Sequence, residues 1–348
     1  MTLFAARGTF MKSVFTQLGH VLRHSLLLVL FTLLIFAAKF AQANEVDTAG
    51  YPAYIEQLKV EAKEHGISAE AIERAFTDVE FYQRAVSADR NQPEFTITLD
   101  TYLPRAVPDW KVQQGIRKYN EHRELLERIG AEYGVQPRFI VALWGIETNY
   151  GGYTGNFKVV SALATLAYEG RREEFFKRQL MQALEIIDAG HIEPEQMRGS
   201  WAGAMGQTQF MPSSFLSYAV DGDGDGKIDI WNSFPDVFAS AANYLANVGW
   251  DDTKTWGRQV RLPADFDTDL TGLNTKKSLA EWQDIGIRRY DGSALPTRDI
   301  PASVIIPDGV EGRAYLAYHN WDVLMRWNRS NYFVAAVGTL ADRIQMGR

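Results

Sequence analysis

The stretch PRFIVALWGIETNYGGYTG, residues 137–155, puts a carboxylic acid inside an apolar helix, and few folds can accommodate that. Pro137 suits the first turn of a helix, and Gly151-Gly152 ends it. At 100° per residue, Ile140, Leu143, Trp144 and Glu147 fall within an arc of roughly 100°. Glu147 therefore lies on the apolar stripe, one turn before the helix stops. A carboxylate there is costly unless its pKa rises or it is paired. A raised pKa keeps the acid protonated near neutrality, ready to give a proton to a leaving oxygen, as the general acid of glycoside cleavage does. The alternative is a structural glutamate bonded to a backbone group or an arginine. The helix by itself does not separate the two readings.

Three other stretches carry chemistry-bearing residues. GSWAGAMGQTQFMP, residues 199–212, sets Ser200, Gln207, Thr208 and Gln209 among Gly199, Gly203 and Gly206. Glycines let backbone approach a ligand closely, and neutral hydroxyl and amide groups suit sugar hydroxyls and N-acetyl groups. A tight packing turn between helices would use the same small residues. RWNRSNYF, residues 326–333, gathers Trp327, Asn328, Asn331 and Tyr332, a composition shared by sugar platforms and aromatic cores. EGRREEFF supplies Arg171 and Arg172, either solvated charges or contacts for an acidic substrate.

DGDGDGKIDIWN, residues 221–232, reads as a calcium loop. Asp221, Asp223 and Asp225 occupy loop positions 1, 3 and 5, Gly226 makes the sharp turn, and Lys227 offers a backbone carbonyl. Asp229 fits the ninth position, but Asn232 is a poor closing ligand where a bidentate glutamate is usual. Calcium sensors pair such loops and expose a Met-rich groove, whereas this chain has one loop and 8 scattered methionines. The loop is expected to be a structural clip.

The first 43 residues have a separate character. The apolar run Leu26–Ala38 follows Arg7, Lys12, His20, Arg23 and His24 and precedes Ala41-Gln42-Ala43. This is the pattern of a secretory signal cleaved after Ala43, and the run is short for a membrane span of ~20 residues. Met11 would serve as an alternative start. Without residues 1–43 the chain keeps 32 basic and 43 acidic side chains, a net charge of −11, which disfavours nucleic acid as a partner. The absence of cysteine excludes disulfides, thiol catalysis, zinc-thiolate sites and a lipidated N-terminal cysteine. Neither an H-E-x-x-H pattern, a P-loop, a dinucleotide fingerprint nor a G-x-S-x-G elbow is present.

Patterning predicts an α+β chain that is mainly α. Residues 44–135 read as an N-terminal helical domain and 136–250 as a helical core containing the acidic loop. Residues 251–313, with WGRQVRLP and the turn signals Asp291-Gly292 and Pro307-Asp308-Gly309, read as a small β-containing domain. Residues 314–348 close the core with helix.

GIETNYGGYTGNF, RREEFF, GSWAGAMGQTQFMPSSF, DGDGDGKIDIWNS, SAANYLANVGW and RWNRSNYF together resemble the lytic murein transglycosylases of the B type, over about residues 50–345. The resemblance implies a lysozyme-like catalytic core, one EF-hand-like structural calcium site, and periplasmic action on peptidoglycan glycan strands. It also implies no organic cofactor, a monomer, and contact with cell-wall synthesis or remodelling proteins. It assigns the acid/base role to Glu147 and substrate contacts to Ser200, Gln209, Tyr244, Trp327 and Asn328, to which the residue types add Tyr332, Arg171 and Arg172 as substrate-binding candidates. Some members carry tyrosine in place of Trp327, and some have tyrosine and glycine at positions 207 and 208. The family's longer metal loop closes on an aspartate that maps onto Asp236. The implied reaction is non-hydrolytic and leaves a 1,6-anhydromuramoyl end. A hydrolytic muramidase would need a second carboxylate, for which Asp188 and Glu169 are the candidates, and a non-catalytic peptidoglycan-binding protein would need none.

Overall fold

The computed structural model of the chain describes residues 46–91 and 97–347, so the export signal expected at 1–43 lies outside the described residues. Helices α1 (Tyr51–Glu64), α2 (Ala69–Phe76), α3 (Gln83–Arg90), α4 (Leu99–Ala106), α5 (Asp109–Glu121) and α6 (Arg123–Tyr133) lead to α7 (Pro137–Thr148), which carries Glu147. Next come β1 (Phe157–Lys158), α8 (Val159–Glu169), α9 (Glu173–Asp188), β2 (Arg198–Gly199), α10 (Pro212–Tyr218) and α11 (Phe234–Asn247). The remainder holds β3 (Gly257–Arg261), β4 (Lys277–Ser278), α12 (Leu279–Asp284), β5 (Arg288–Arg289), β6 (Pro301–Ile305), β7 (Ala314–Ala317), α13 (His319–Trp327) and α14 (Asn331–Met346).

Helix α8 is buried without a break from Val159 to Ala167, because VVSALATLA offers small or apolar side chains on every face. Its two hydroxyls are not left unpaired. Ser161 Oγ accepts from Glu80 N at 3.2 Å and Thr165 Oγ1 from Tyr82 N at 3.0 Å, which docks the segment before α3 onto the helix. Tyr168 adds edge-to-face contacts with Tyr51, Tyr54 and Phe81. The N-terminal helices thus share one hydrophobic cluster with α7, α8 and α14.

Helix α7 is the other hub. Phe139 through Gly145 are all buried, and α14, α5, α6 and α11 pack around it. The stripe expected at Ile140, Leu143 and Trp144 is therefore part of a wholly enclosed segment, and Ile146 and Glu147 mark where the helix emerges from it toward solvent.

Strands β4-β6-β7-β3-β5 form an antiparallel sheet in that order. The sheet has its own core around Val260, Leu279, Trp282, Val304 and Leu316. Trp282 is fully buried and its indole donates to Ala302 O at 2.8 Å. One boundary differs from expectation: β7 carries the sheet past residue 313, into the segment read as helical. All four residues of β7 are buried, so this central strand shows no alternation from which to recognise it. The architecture is mainly helical with a small sheet, and no helix among the described residues is long and apolar enough to cross a membrane.

Candidate active site

Glu147 lies one residue before the end of α7 and keeps partial solvent access. The protein packed around its carboxyl pushes the pKa up from 4.5 to about 7, and a hydrogen bond from Trp327 partly opposes that shift. Trp327 Nε1 donates to Glu147 Oε1 at 2.7 Å. An indole N–H only donates, so Oε1 acts as acceptor and the proton of the neutral acid belongs on Oε2. Trp327 thus orients the proton as well as covering the site. Its ring is itself held edge-on by Tyr244 at 4.7 Å and tilted against Phe210 at 5.3 Å. Tyr244, buried on α11, donates its hydroxyl to Arg326 O at 2.8 Å, which fixes the end of α13 where Trp327 sits.

The aromatic floor continues on the N-terminal side. Tyr102 of α4 stands beside Glu147: burial first, and the Glu147 charge second, raise its hydroxyl. Its ring meets Tyr332 edge-on at 5.4 Å. Tyr332 donates its hydroxyl to Asp308 and to Ile97 O, and Asp308 also accepts from Leu99 N at 2.7 Å at the start of α4. Tyr332 therefore braces α4 and Tyr102.

No carboxylate contributes to the shift of Glu147 among the described residues. The two candidate second acids are engaged elsewhere. Asp188 accepts from Ser68 N at 3.1 Å and from Ser68 Oγ at 2.5 Å, while Glu169 pairs with Arg90 at 2.9 Å. Arg171 is taken up by the buried carboxylate of Asp89, and Arg172 lies over the faces of Phe175 and Phe176 at 4.3 and 5.1 Å. Both arginines remain exposed, but neither is a bare surface charge.

The glycine-rich loop serves packing and presentation together. Gly199 is placed so that an added Cβ would come 2.1 Å from Ala204 O, which only backbone movement could relieve. Gly199→Ala is expected to lower stability by about 2 kcal/mol, measured by urea unfolding; an unchanged midpoint would show that the loop is free to shift. The polar side chains between these glycines divide into two groups. Ser200 Oγ accepts from Ala202 N at 3.3 Å and Ala204 N at 3.0 Å, which leaves its proton free to donate. Gln209 Nε2 donates to Thr154 O at 3.0 Å and Gly206 O at 2.9 Å, which leaves Oε1 as a fixed acceptor. Asn328 is exposed at the end of α13. Gln207 and Thr208, by contrast, are buried and face the protein.

Three non-glycine residues have a left-handed backbone among the described residues: Asn149 and Tyr150 at the end of α7, and Gln209, with φ of 51°, 60° and 51°. Each costs about 1–2 kcal/mol and persists only where its surroundings hold it. Two of the three directly follow the helix that carries Glu147.

In the aspartate loop, carboxylate oxygens of Asp221, Asp223 and Asp236 lie within 4.8 Å of one another. Calcium–oxygen distances of about 2.3–2.6 Å fit such a spacing. Asp221 also accepts from Gly224 N at 2.6 Å and Gly226 N at 2.8 Å, and Asp225 Oδ1 from Lys227 N at 2.8 Å. The Asn232 amide donates to the Asp229 carboxylate. Asp236, the first-turn acid of α11, is buried and accepts from Gly222 N at 2.8 Å and Asp229 N at 2.6 Å. Burial pushes its carboxyl up, so a nearby cation would relieve an unfavourable charge.

Residues 50–342 match the family model described as transglycosylase SLT domain. The chain is similar to membrane-bound lytic murein transglycosylase B of Escherichia coli (strain K12), at 32% identity over 250 residues that make up 71% of this chain and 67% of the relative. It is similar in structure to SltB3 from Pseudomonas aeruginosa, solved in complex with NAG-NAM-pentapeptide. There the identity is 44% and the TM-score 0.82, covering 85% of this chain and 79% of that one. Slt35, an Escherichia coli lytic transglycosylase solved with calcium, matches at 28% identity and a TM-score of 0.73, over 87% of this chain and 96% of that one.

Proposed function

The chain belongs to the transglycosylase SLT domain family and is a peptidoglycan lytic transglycosylase, and we propose that it cuts the bond between N-acetylmuramic acid and N-acetylglucosamine without water, with Glu147 as sole acid and base. The observation that carries this reading is the Glu147 carboxyl, raised to about 7 by burial and bonded to Trp327 at 2.7 Å, while Asp188 and Glu169 are engaged by Ser68 and Arg90. Glycoside hydrolases of the usual kind need two such groups.

In the proposed reaction the proton on Oε2 passes to the glycosidic oxygen as the C1–O bond breaks. The substrate's acetamido group stabilises the positive charge that develops at C1. Glu147, now ionised, removes the proton from the muramoyl C6 hydroxyl, and O6 bonds to C1. The acid ends in its starting form, the products are a free 4-hydroxyl and a 1,6-anhydro ring, and no water is consumed. Intramolecular attack benefits from a high effective concentration.

Ser200 as donor and Gln209 as acceptor suit an N-acetyl or hydroxyl group on opposite edges of a sugar. Asn328 and the Trp327 ring are proposed as further substrate contacts, with Tyr244 bracing Trp327 and Tyr332 bracing Tyr102. Arg171 and Arg172 are proposed as contacts for an acidic substrate, reached from their places on Asp89 and over Phe175 and Phe176. Calcium is proposed to bind Asp221, Asp223, Asp225, the Lys227 carbonyl and Asp236 as a structural clip, extended beyond twelve residues. The aspartate spacing supports this, as does the calcium in Slt35. The proposed layout keeps an N-terminal helical domain, a lysozyme-like core and a small β domain, in a protein exported to the periplasm to meet glycan strands.

Mass spectrometry of digested sacculi tests the reaction. Anhydromuramoyl ends, lighter by one water than reducing ends, are the expected product; reducing ends alone would make the enzyme a hydrolase. The alkaline side of the pH–rate profile gives a second test. Because Glu147 must be protonated, kcat/KM is expected to fall about tenfold per unit above pH 7. Trp327→Phe removes the bond that lowers the Glu147 pKa, so that limb should move to higher pH; a limb that moves down would contradict the assigned role.

A further inference from the structure

Gln207 is only 7% exposed, and the hydrogen-bonding groups of its backbone and side chain are all engaged. Its backbone N donates to Ile230 O at 2.9 Å and its Nε2 to Trp231 O at 2.8 Å. Its Oε1 accepts from Trp144 Nε1 at 2.8 Å, and its backbone O accepts from Thr148 Oγ1 at 2.9 Å. Trp144 and Thr148 are on α7, one turn before Glu147 and one residue after it. Ile230 and Trp231 are the last stretch of the aspartate loop, where Asp229 Oδ1 accepts from Trp231 N at 2.9 Å and Asp229 N donates to Asp236 Oδ2 at 2.6 Å. Gln207 therefore ties both flanks of the acid to the loop, Trp144 through its side chain and Thr148 through its backbone carbonyl.

The helix end it grips is strained. Asn149, Tyr150 and Gly151 follow one another with φ of 51°, 60° and 77°. Thr148 Oγ1 steadies that turn by accepting from Gly151 N at 3.1 Å while donating to Gln207 O. Gly151 and Gln207 are also fitted to each other in shape, since a Cβ on Gly151 would come 2.3 Å from Gln207 Oε1. A plain packing role would need bulk at position 207 but not four directed hydrogen bonds, two of them to the helix that carries the acid.

We propose that Gln207 is a positioning residue that fixes where α7 ends and so holds Glu147 against Trp327 Nε1. It does not touch the sugar; it acts through Trp144 and Thr148. The role in turnover rests on Glu147 being the acid, whereas the tether itself does not.

Gln207→Met keeps the length of the side chain and removes its hydrogen bonds. The expected result is a kcat lower by about 10–100-fold with KM within about twofold, since misplacing a catalytic group by about 1 Å has effects of that size. The alkaline limb of the pH–rate profile, set by Glu147 with Tyr102 the titratable group beside it, should move as the Trp327 contact loosens. Amide hydrogen exchange at residues 149–151 should rise. Unchanged exchange at 149–151 would overturn the tether, and raised exchange with an unmoved alkaline limb would overturn the positioning role. Should Gln207→Met fail to fold, Thr148→Val deletes the bond to Gln207 O together with the acceptor of Gly151 N, so its exchange is read at Asn149 and Tyr150, where the same rise is expected with the same movement of the alkaline limb. Exchange is read without substrate, so a failure of the Glu147 assignment would show as an active Glu147→Gln with the tether intact.

Discussion

Glu147→Gln is expected to lower kcat on peptidoglycan by about 10⁴-fold while raising the stability of the folded chain above neutral pH. The first effect follows from one carboxyl acting as both acid and base, because glutamine cannot give or take the proton in either step. The second follows from linkage. The folded chain keeps the Glu147 proton up to about pH 7, whereas an unfolded carboxyl releases it near 4.5. Folding is then coupled to holding a proton across that window. The stability from this group is complete below 4.5 and is lost as pH rises through about 7. The shift corresponds to about 3 kcal/mol at pH 8, or about 2 kcal/mol once the partial solvent access of Glu147 is allowed for. Glutamine has no charge to lose. Urea unfolding at pH 5 and pH 8 should show the variant gaining on wild type by about that amount at the higher pH. An equal difference at both values would mean that Glu147 is not held neutral, and retained turnover would remove it from the chemistry.

Trp327 shows why part of this site was legible from the sequence and part was not. Helical phasing alone marks Glu147, because a carboxylate on a 3.6-residue stripe is visible within twelve residues. Its hydrogen-bond partner lies 180 residues away, and nothing local says whether an indole near the C-terminus will stack on a sugar or donate to an acid. Tyr102 left no signal at all: LDTYLPRA is a short helix containing Pro104, and its position beside Glu147 depends on Asp308 and Tyr332. Gln207 was misleading in the other direction. An amide among glycines reads as exposed and ligand-facing, yet the carbonyls of Ile230 and Trp231 and the indole of Trp144 draw it inward. The sheet follows the same rule. The sequence at the end of β3 sets Val260 and Leu262 on either side of Arg261, while the wholly buried β7 looks like any apolar run.

Asp236→Ala is expected to abolish a calcium-dependent rise in melting temperature of about 5 °C. That rise corresponds to about 2.7 kcal/mol at a hundredfold excess of calcium over its dissociation constant, converted for a chain of this size. Asp236 is the buried member of the aspartate cluster, and its two oxygens also receive Gly222 N and Asp229 N. Alanine thus removes a ligand and leaves two N–H groups unmet, so the variant should melt lower than wild type even in chelator. The chelator comparison separates the two effects: the hydrogen-bond loss lowers both curves, whereas the ligand loss removes the gap between them. Asn232→Ala should keep the gap, because the Asn232 amide donates to Asp229. If Asp236→Ala keeps the gap and Asn232→Ala loses it, the loop closes at its twelfth residue after all.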